Sequence, residues 1–199
     1  MKKIGLWLAL ICVSQSVLAQ TLGVRMGINY ATQLIKVDGV TINPNYRIGG
    51  LAAITLNLEE SEKVSAQLEL SYSQMGFGVT KIGSEKIPEG DFKYMKIGCL
   101  AKYHLPHSIN IHAGGELGFQ FEYPKDLRYL YNPDFGAFVG AEYYPVKLAG
   151  IGVRYYFGFA DVNTGSESSN APVVKQFNRA FQFYLAFRFP GKQLKEMGY

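Results

Sequence analysis

Ala180-Phe-Gln-Phe-Tyr-Leu-Ala-Phe-Arg-Phe189 is the stretch on which the reading of the fold turns. Successive side chains of an extended strand point to opposite sides, so a period of two separates the residues into two faces. Phe181, Phe183, Leu185, Phe187 and Phe189 share one face, and Ala180, Gln182, Tyr184, Ala186 and Arg188 share the other. Working back along the chain, Ile151, Val153, Tyr155, Phe157 and Phe159 alternate with Gly150, Gly152, Arg154, Tyr156 and Gly158. Ile111, Ala113, Leu117, Phe119 and Phe121 likewise oppose His112, Gly114, Glu116, Gly118 and Gln120. Val64, Ala66, Leu68, Leu70 and Tyr72 oppose Ser65, Gln67, Glu69, Ser71 and Ser73, and Leu22, Val24, Met26, Ile28 and Tyr30 oppose Gly23, Arg25, Gly27 and Asn29.

Eight such segments are expected, at about 22–30, 46–58, 64–76, 92–104, 109–122, 134–144, 148–159 and 179–189. They are longer than the usual soluble strand of about 5–6 residues and match the roughly 9–11 that a tilted membrane-spanning strand requires. In a soluble sheet the apolar face would point inward. Here the apolar face is long, aromatic and present on every strand, while the opposite face is rich in Gly and Ser with scattered charges, so the assignment inverts: apolar toward lipid, polar toward a crowded lumen. A soluble lipocalin-like barrel, with its apolar residues inside, is the alternative fold.

The connections alternate strictly. Residues 31–45, 77–91, 123–133 and 160–178 are long, and 59–63, 105–108 and 145–147 are short. The expected fold is all-β: an eight-stranded antiparallel up-and-down transmembrane β-barrel with short periplasmic turns and long extracellular loops. The prolines at 44, 88, 106, 124, 133, 145, 172 and 190 all fall in connections or at strand ends, as a residue without an N–H must in a closed sheet. An open edge in hydrocarbon would leave backbone groups unpaired, so the first and last strands should join. Eight strands leave an interior just wide enough for side chains, so a plugged core is expected.

Composition agrees. The chain has 199 residues, 14 Tyr, 13 Phe and 22 Gly, and its mean hydropathy is near zero because alternating faces cancel. Residues 1–19 read as a signal peptide: Lys2 and Lys3, an apolar run from Ile4 to Val13, and Val17, Leu18 and Ala19 before cleavage ahead of Gln20. The run is too short to span a bilayer as a helix, and Cys12 follows Ile11 where a lipidated cysteine would follow a small residue. Residues 20–190 form the barrel and 191–199 a short C-terminal tail. Loss of Lys2 and Lys3 lowers the formal charge from +4 by two to +2, too little to indicate nucleic acid or a polybasic anchor. Cys99 alone remains, which excludes an intramolecular disulfide and places a small lipid-facing residue mid-strand.

Parity puts nine charges inward: Arg25, Arg47, Glu69, Lys96, Lys102, Glu116, Glu142, Arg154 and Arg188. Enclosed charges need partners, so a structural ionic network is expected. Counting back from the turn at 105–108 places Glu116 beside Lys96. Six bases face three acids, a surplus met either by water and hydroxyls or by an anion in the lumen.

Tyr94-Met-Lys-Ile-Gly-Cys-Leu-Ala-Lys-Tyr-His-Leu105 and Gly23-Val-Arg-Met-Gly-Ile-Asn-Tyr30 resemble the Y-x-x-I-P-x-x-x-K-Y strand and the opening G-x-K-x-G-x-N strand of the PorT-like outer-membrane β-barrel proteins of Bacteroidota. Asp134-Phe-Gly-Ala-Phe-Val-Gly-Ala-Glu-Tyr143 and Val153-Arg-Tyr-Tyr-Phe-Gly-Phe159 resemble later strands of that family. The resemblance implies a small barrel of OmpA or OmpX size, and one kind of member serves protein secretion. Gly98 stands where the family has Pro, so a more regular strand is expected there, and the chain continues past Phe189 from Pro190 to Tyr199.

No catalytic, cofactor or metal site is expected. His104, His107 and His112 cluster at one short turn, where rim polarity explains them better than a metal. Asp38, Glu85, Glu89, Asp91, Asp126, Asp134, Asp161 and Glu167 read as solvated loop acids. G-x-S-x-G, phosphate-loop and H-E-x-x-H motifs are absent. Gly49-Gly50 and Gly114-Gly115 open no helix and instead suit sheet curvature. Tyr30, Tyr46, Tyr72, Tyr103 and Tyr143 fit an interfacial girdle. The chemistry points to a non-enzymatic structural or interaction protein of the cell envelope. Its partners would be the lipid bilayer of the outer membrane and an envelope or secretion protein, with no nucleic acid. A narrow conduit or binder for a small polar or anionic solute is the alternative, and an outer-membrane enzyme the third.

Overall fold

The computed structural model describes residues 21–61, 63–82, 85–87, 89–122, 133–162 and 174–189. The proposed leader (1–19), the tail (191–199), Pro88, Pro124, Pro172, Pro190, Asp126 and Glu167 lie outside them.

Eight strands close a barrel: β1 (Thr21–Val37), β3 (Arg47–Glu60), β4 (Val64–Phe77), β7 (Gly90–Leu105), β8 (Ile109–Glu122), β9 (Asp134–Val146), β10 (Ala149–Gly158) and β11 (Val174–Phe189). All neighbours pair antiparallel, each with the next in the chain, and β11 returns to β1. That closing seam runs without a break from Leu22↔Phe189 to Val37↔Val174. Three further strands are short: β2 (Val40–Ile42) lies beside the end of β1, and β5 (Thr80–Ile82) pairs with β6 (Glu85–Ile87) in the connection between β4 and β7.

The side chains divide as a hydrocarbon-facing barrel requires. Met26, Ile54, Ile97, Val139, Ile151, Phe183 and Leu185 stand exposed on the outer wall, while Arg25, Gln67, Glu69, Lys96, Glu142, Arg154 and Gln182 are buried inside. A wall of this composition is unsuited to water and suited to acyl chains. No helix among the described residues is long and apolar enough to cross a membrane, so the strands do the crossing. Cys99 is exposed on the same outer wall.

Two inward glycines show how so small a barrel bends. A Cβ on Gly27 would lie 2.0 Å from the Phe183 carbonyl oxygen, and one on Gly114 would lie 2.2 Å from that of Cys99. Neighbouring backbones fold in over both positions, and only a residue without a side chain admits that approach. Gly98 leaves β7 unbroken, paired to Glu69 on one side and Glu116 on the other.

The long connections differ from expectation. Residues 31–37 continue β1, β2 and the β5–β6 hairpin lie in segments read as loops, and β11 begins at Val174, five residues before the expected start. Beyond the membrane both faces of a strand meet polar surroundings, so the apolar alternation that marks a spanning strand fades while the hydrogen-bonded ladder continues.

Candidate functional site

Among the described residues, chemistry-bearing side chains from all round the barrel converge in the lumen. Inward parity on β1 and β10 directs Arg25 and Arg154 toward the axis. Arg25 donates one terminal nitrogen to Glu69 on β4 and the other to Glu142 on β9, with Gln67 Oε1 at 3.3 Å. Arg154 meets the same Glu69 with both terminal nitrogens, at 2.8 and 3.2 Å, and donates its Nε to Gln182. One carboxylate is thus shared by two guanidiniums that arrive from β1 and β10, the two strands flanking β11, a planar fork-to-carboxylate arrangement that lysine cannot copy. Aromatic faces complete the cage: Tyr184 lies 4.9 Å from the Arg25 guanidinium carbon and Phe138 lies 4.4 Å from that of Arg154.

Nearer the periplasmic end, Lys102 Nζ donates to Glu142 Oε2 at 2.9 Å, and the Tyr184 hydroxyl donates to Glu142 Oε1 at 3.1 Å. Nearer the outer end, Lys96 Nζ meets Glu116 at 2.7 Å, as counting from the turn implied, and also Asp134 at 3.1 Å, with the Tyr156 ring centroid 3.8 Å away. Arg154 reaches Glu116 at 3.6 Å and joins the two levels. Above them the Asn178 amide donates to Asp134 (3.0 Å) and the Tyr94 hydroxyl (3.2 Å), and Gln33 donates to Asn178 (2.9 Å).

Asp134 corrects the sequence reading. The sequence reads it as a solvated loop acid, yet it begins β9, is fully buried and shares the inward parity of Gly136, Phe138 and Glu142. Carrying the parity of Glu142 back along its strand finds it. Two of the nine inward charges lie at the mouths. Arg47 sits at the outer rim against Asp91 (2.7 Å) and Glu89 (3.7 Å), and Arg188 sits at the periplasmic rim over the Tyr144 ring (3.6 Å). The enclosed set is therefore Arg25, Lys96, Lys102 and Arg154 against Glu69, Glu116, Asp134 and Glu142, formally neutral, and the expected surplus of positive charge inside disappears.

The three histidines separate. His107 is exposed in the turn with φ 63°, His104 bonds Asn110 and Ser65, and His112 is buried with its Nε2 3.4 Å from the Tyr184 hydroxyl. Among the described residues no group of three or more His, Cys, Asp or Glu is placed to hold a metal. Tyr30, Tyr46, Tyr103 and Tyr143 are exposed outside, Tyr30 stacked on Tyr46 at 4.4 Å, whereas Tyr72 is half-buried against Phe121. A groove of about 770 Å³ lies on the outer wall between Met26, Ile28, Val153, Phe183 and Leu185, with Gly27 and Gly152 in its floor. It faces hydrocarbon.

No protein-family model matches the chain, and no curated protein matches it. Among solved structures it is similar to Ail, the attachment invasion locus protein of Yersinia pestis, at 12% identity and TM-score 0.48, over 85% of this chain and 98% of that one. It is similar to OprG from Pseudomonas aeruginosa at 13% identity and TM-score 0.46, over 89% and 99%. It is also similar to Neisserial surface protein A at 14% identity and TM-score 0.48, over 84% and 97%.

Proposed function

We propose that this chain is a non-enzymatic outer-membrane β-barrel, exported behind residues 1–19, that serves the cell envelope as a structural or interaction component. Its rims and loops would meet a partner protein, and its PorT-like sequence features make a secretion-associated partner the first to seek. The observation that carries this reading is the filled, charge-balanced lumen. Four bases and four acids, each at most 4% exposed, bridge the barrel from wall to wall. Such a core rigidifies a scaffold, and pulling any one ion away would strand its partner in a low-dielectric interior. The neutral balance also takes away the positive surplus on which an anion conduit would depend.

Planar-bilayer recording tests the scaffold reading: purified protein should give no steady conductance, and reproducible unitary steps would refute it. Labelling of Cys99 tests the membrane placement. In reconstituted vesicles neither a charged nor a lipophilic maleimide should modify Cys99, because the thiol projects mid-strand into hydrocarbon where it cannot ionise, while unfolding the protein should let both react. Equal reaction of the folded protein with both reagents would mean that the wall faces water. Capture of the intact protein from detergent-solubilised membranes, followed by identification of co-purifying chains, names the partner.

A further inference from the structure

The outward face of the closing seam changes character with height. From the middle upward the cross-strand pairs are Ile28↔Phe183, Tyr30↔Phe181, Thr32↔Arg179, Leu34↔Phe177 and Lys36↔Lys175. Apolar pairs give way to aromatics, then to a guanidinium, then to two ammonium groups side by side. From Leu22 to Thr32 the strand climbs about 34 Å, or about 26 Å along a barrel axis tilted ~40° from it, which matches the roughly 25 Å apolar band of such barrels. Arg179 therefore stands at the edge of the hydrocarbon, and Lys36 and Lys175 stand about 10 Å beyond, at headgroup height.

Arg179 uses one terminal nitrogen on the Gly158 and Asn178 carbonyls, at 2.6 and 2.9 Å. Lys36 lies 5.8 Å over the Phe177 ring, and among the described residues neither Lys36 nor Lys175 meets a carboxylate within salt-bridge distance. Like charges directly opposite on neighbouring strands repel, so an anion beside this pair would relieve the repulsion. The face continues the lipid-facing wall of the same two strands; the Pro44 carbonyl covers Thr32, accepting from its hydroxyl at 2.9 Å, while Lys36 and Lys175 stand exposed above it at headgroup height.

We propose that Lys36, Lys175 and Arg179 on the outward face of the β1–β11 seam bind the phosphate groups of anionic lipids in the leaflet around the long-loop end of the barrel. The inference rests on the membrane placement proposed above and adds a ligand to it.

The test reconstitutes the protein in phosphatidylcholine vesicles carrying a minor fraction of spin-labelled lipid, either lipid A with its phosphates or the dephosphorylated form, and measures the relative association of each with the barrel. Wild type should prefer the phosphorylated lipid, and Lys36→Gln, Lys175→Gln and Arg179→Gln should each lower the preference roughly five-fold. Lys36→Arg with Lys175→Arg should keep it, and Lys63→Gln, at an exposed lysine of the opposite end, should not alter it. Heat-modifiable gel migration verifies that each variant is folded. Insertion with equal association of both lipids overturns the inference alone, whereas failure to insert overturns the membrane placement and the inference together. Displacement of the lipid by inorganic pyrophosphate at matched phosphate concentration would assign the site to a soluble phosphate and overturn the lipid claim.

Discussion

Arginine meets carboxylate at two heights in this barrel, with opposite consequences. At mid-lumen Arg25 and Arg154 share Glu69, and all three are almost wholly buried. At the outer rim Arg47 meets Asp91 at 2.7 Å with side chains 18% and 38% exposed, and Glu89 at 3.7 Å. The rim pair can exchange its partner for water, so its loss is cheap and salt can screen it. The inner ions cannot, so removing one leaves another charge stranded. Identical chemistry is thus a surface detail in one place and a structural requirement in the other.

The largest expected effect follows from breaking the inner set. Glu69→Ala should cost about 3–5 kcal/mol, because it strips one carboxylate from two guanidiniums. Urea titration in vesicles, read by heat-modifiable gel migration, measures the loss, and a change under about 1 kcal/mol would remove the distinction between the two heights. Replacing Arg25, Glu69 and Arg154 together with apolar residues of similar volume should recover most of that stability, since no charge is then left alone.

Moving a guanidinium to the other side of the wall sharpens the contrast. Phe183→Arg should destabilise by about 2–4 kcal/mol in the same assay, while a polar substitution at the rim is tolerated. Asp134→Asn keeps an acceptor for Lys96 but removes one of its two charges, so about 1–2 kcal/mol is expected. The smallest effect belongs to Arg47→Ala, at or below about 1 kcal/mol and shrinking as salt rises.

Parity made much of this legible in advance. The eight spanning strands, the inversion of faces and the Lys96–Glu116 pair follow from a period of two and one short turn. Other features did not follow. Arg25–Glu69, Arg25–Glu142 and Arg154–Glu69 cross the lumen between strands that are not neighbours, so no register count reaches them. Asp134 was lost because it is the first residue of its strand, where alternation has only one side to show. The extensions 31–37 and 174–178 were lost because above the membrane an outward residue need not be greasy, as Lys36 and Lys175 demonstrate.

The seam between the first and last strands carries a mechanical consequence. It is the longest in the barrel, while β10 is held from Ala149 only to Gly158, with an irregular register beside β9. A chain threaded in order makes that long join last and, once it latches, has fastened its two ends with its strongest hoop. Under heat or lateral strain the wall should therefore split first along the short stave at β10 and not where the ring was shut.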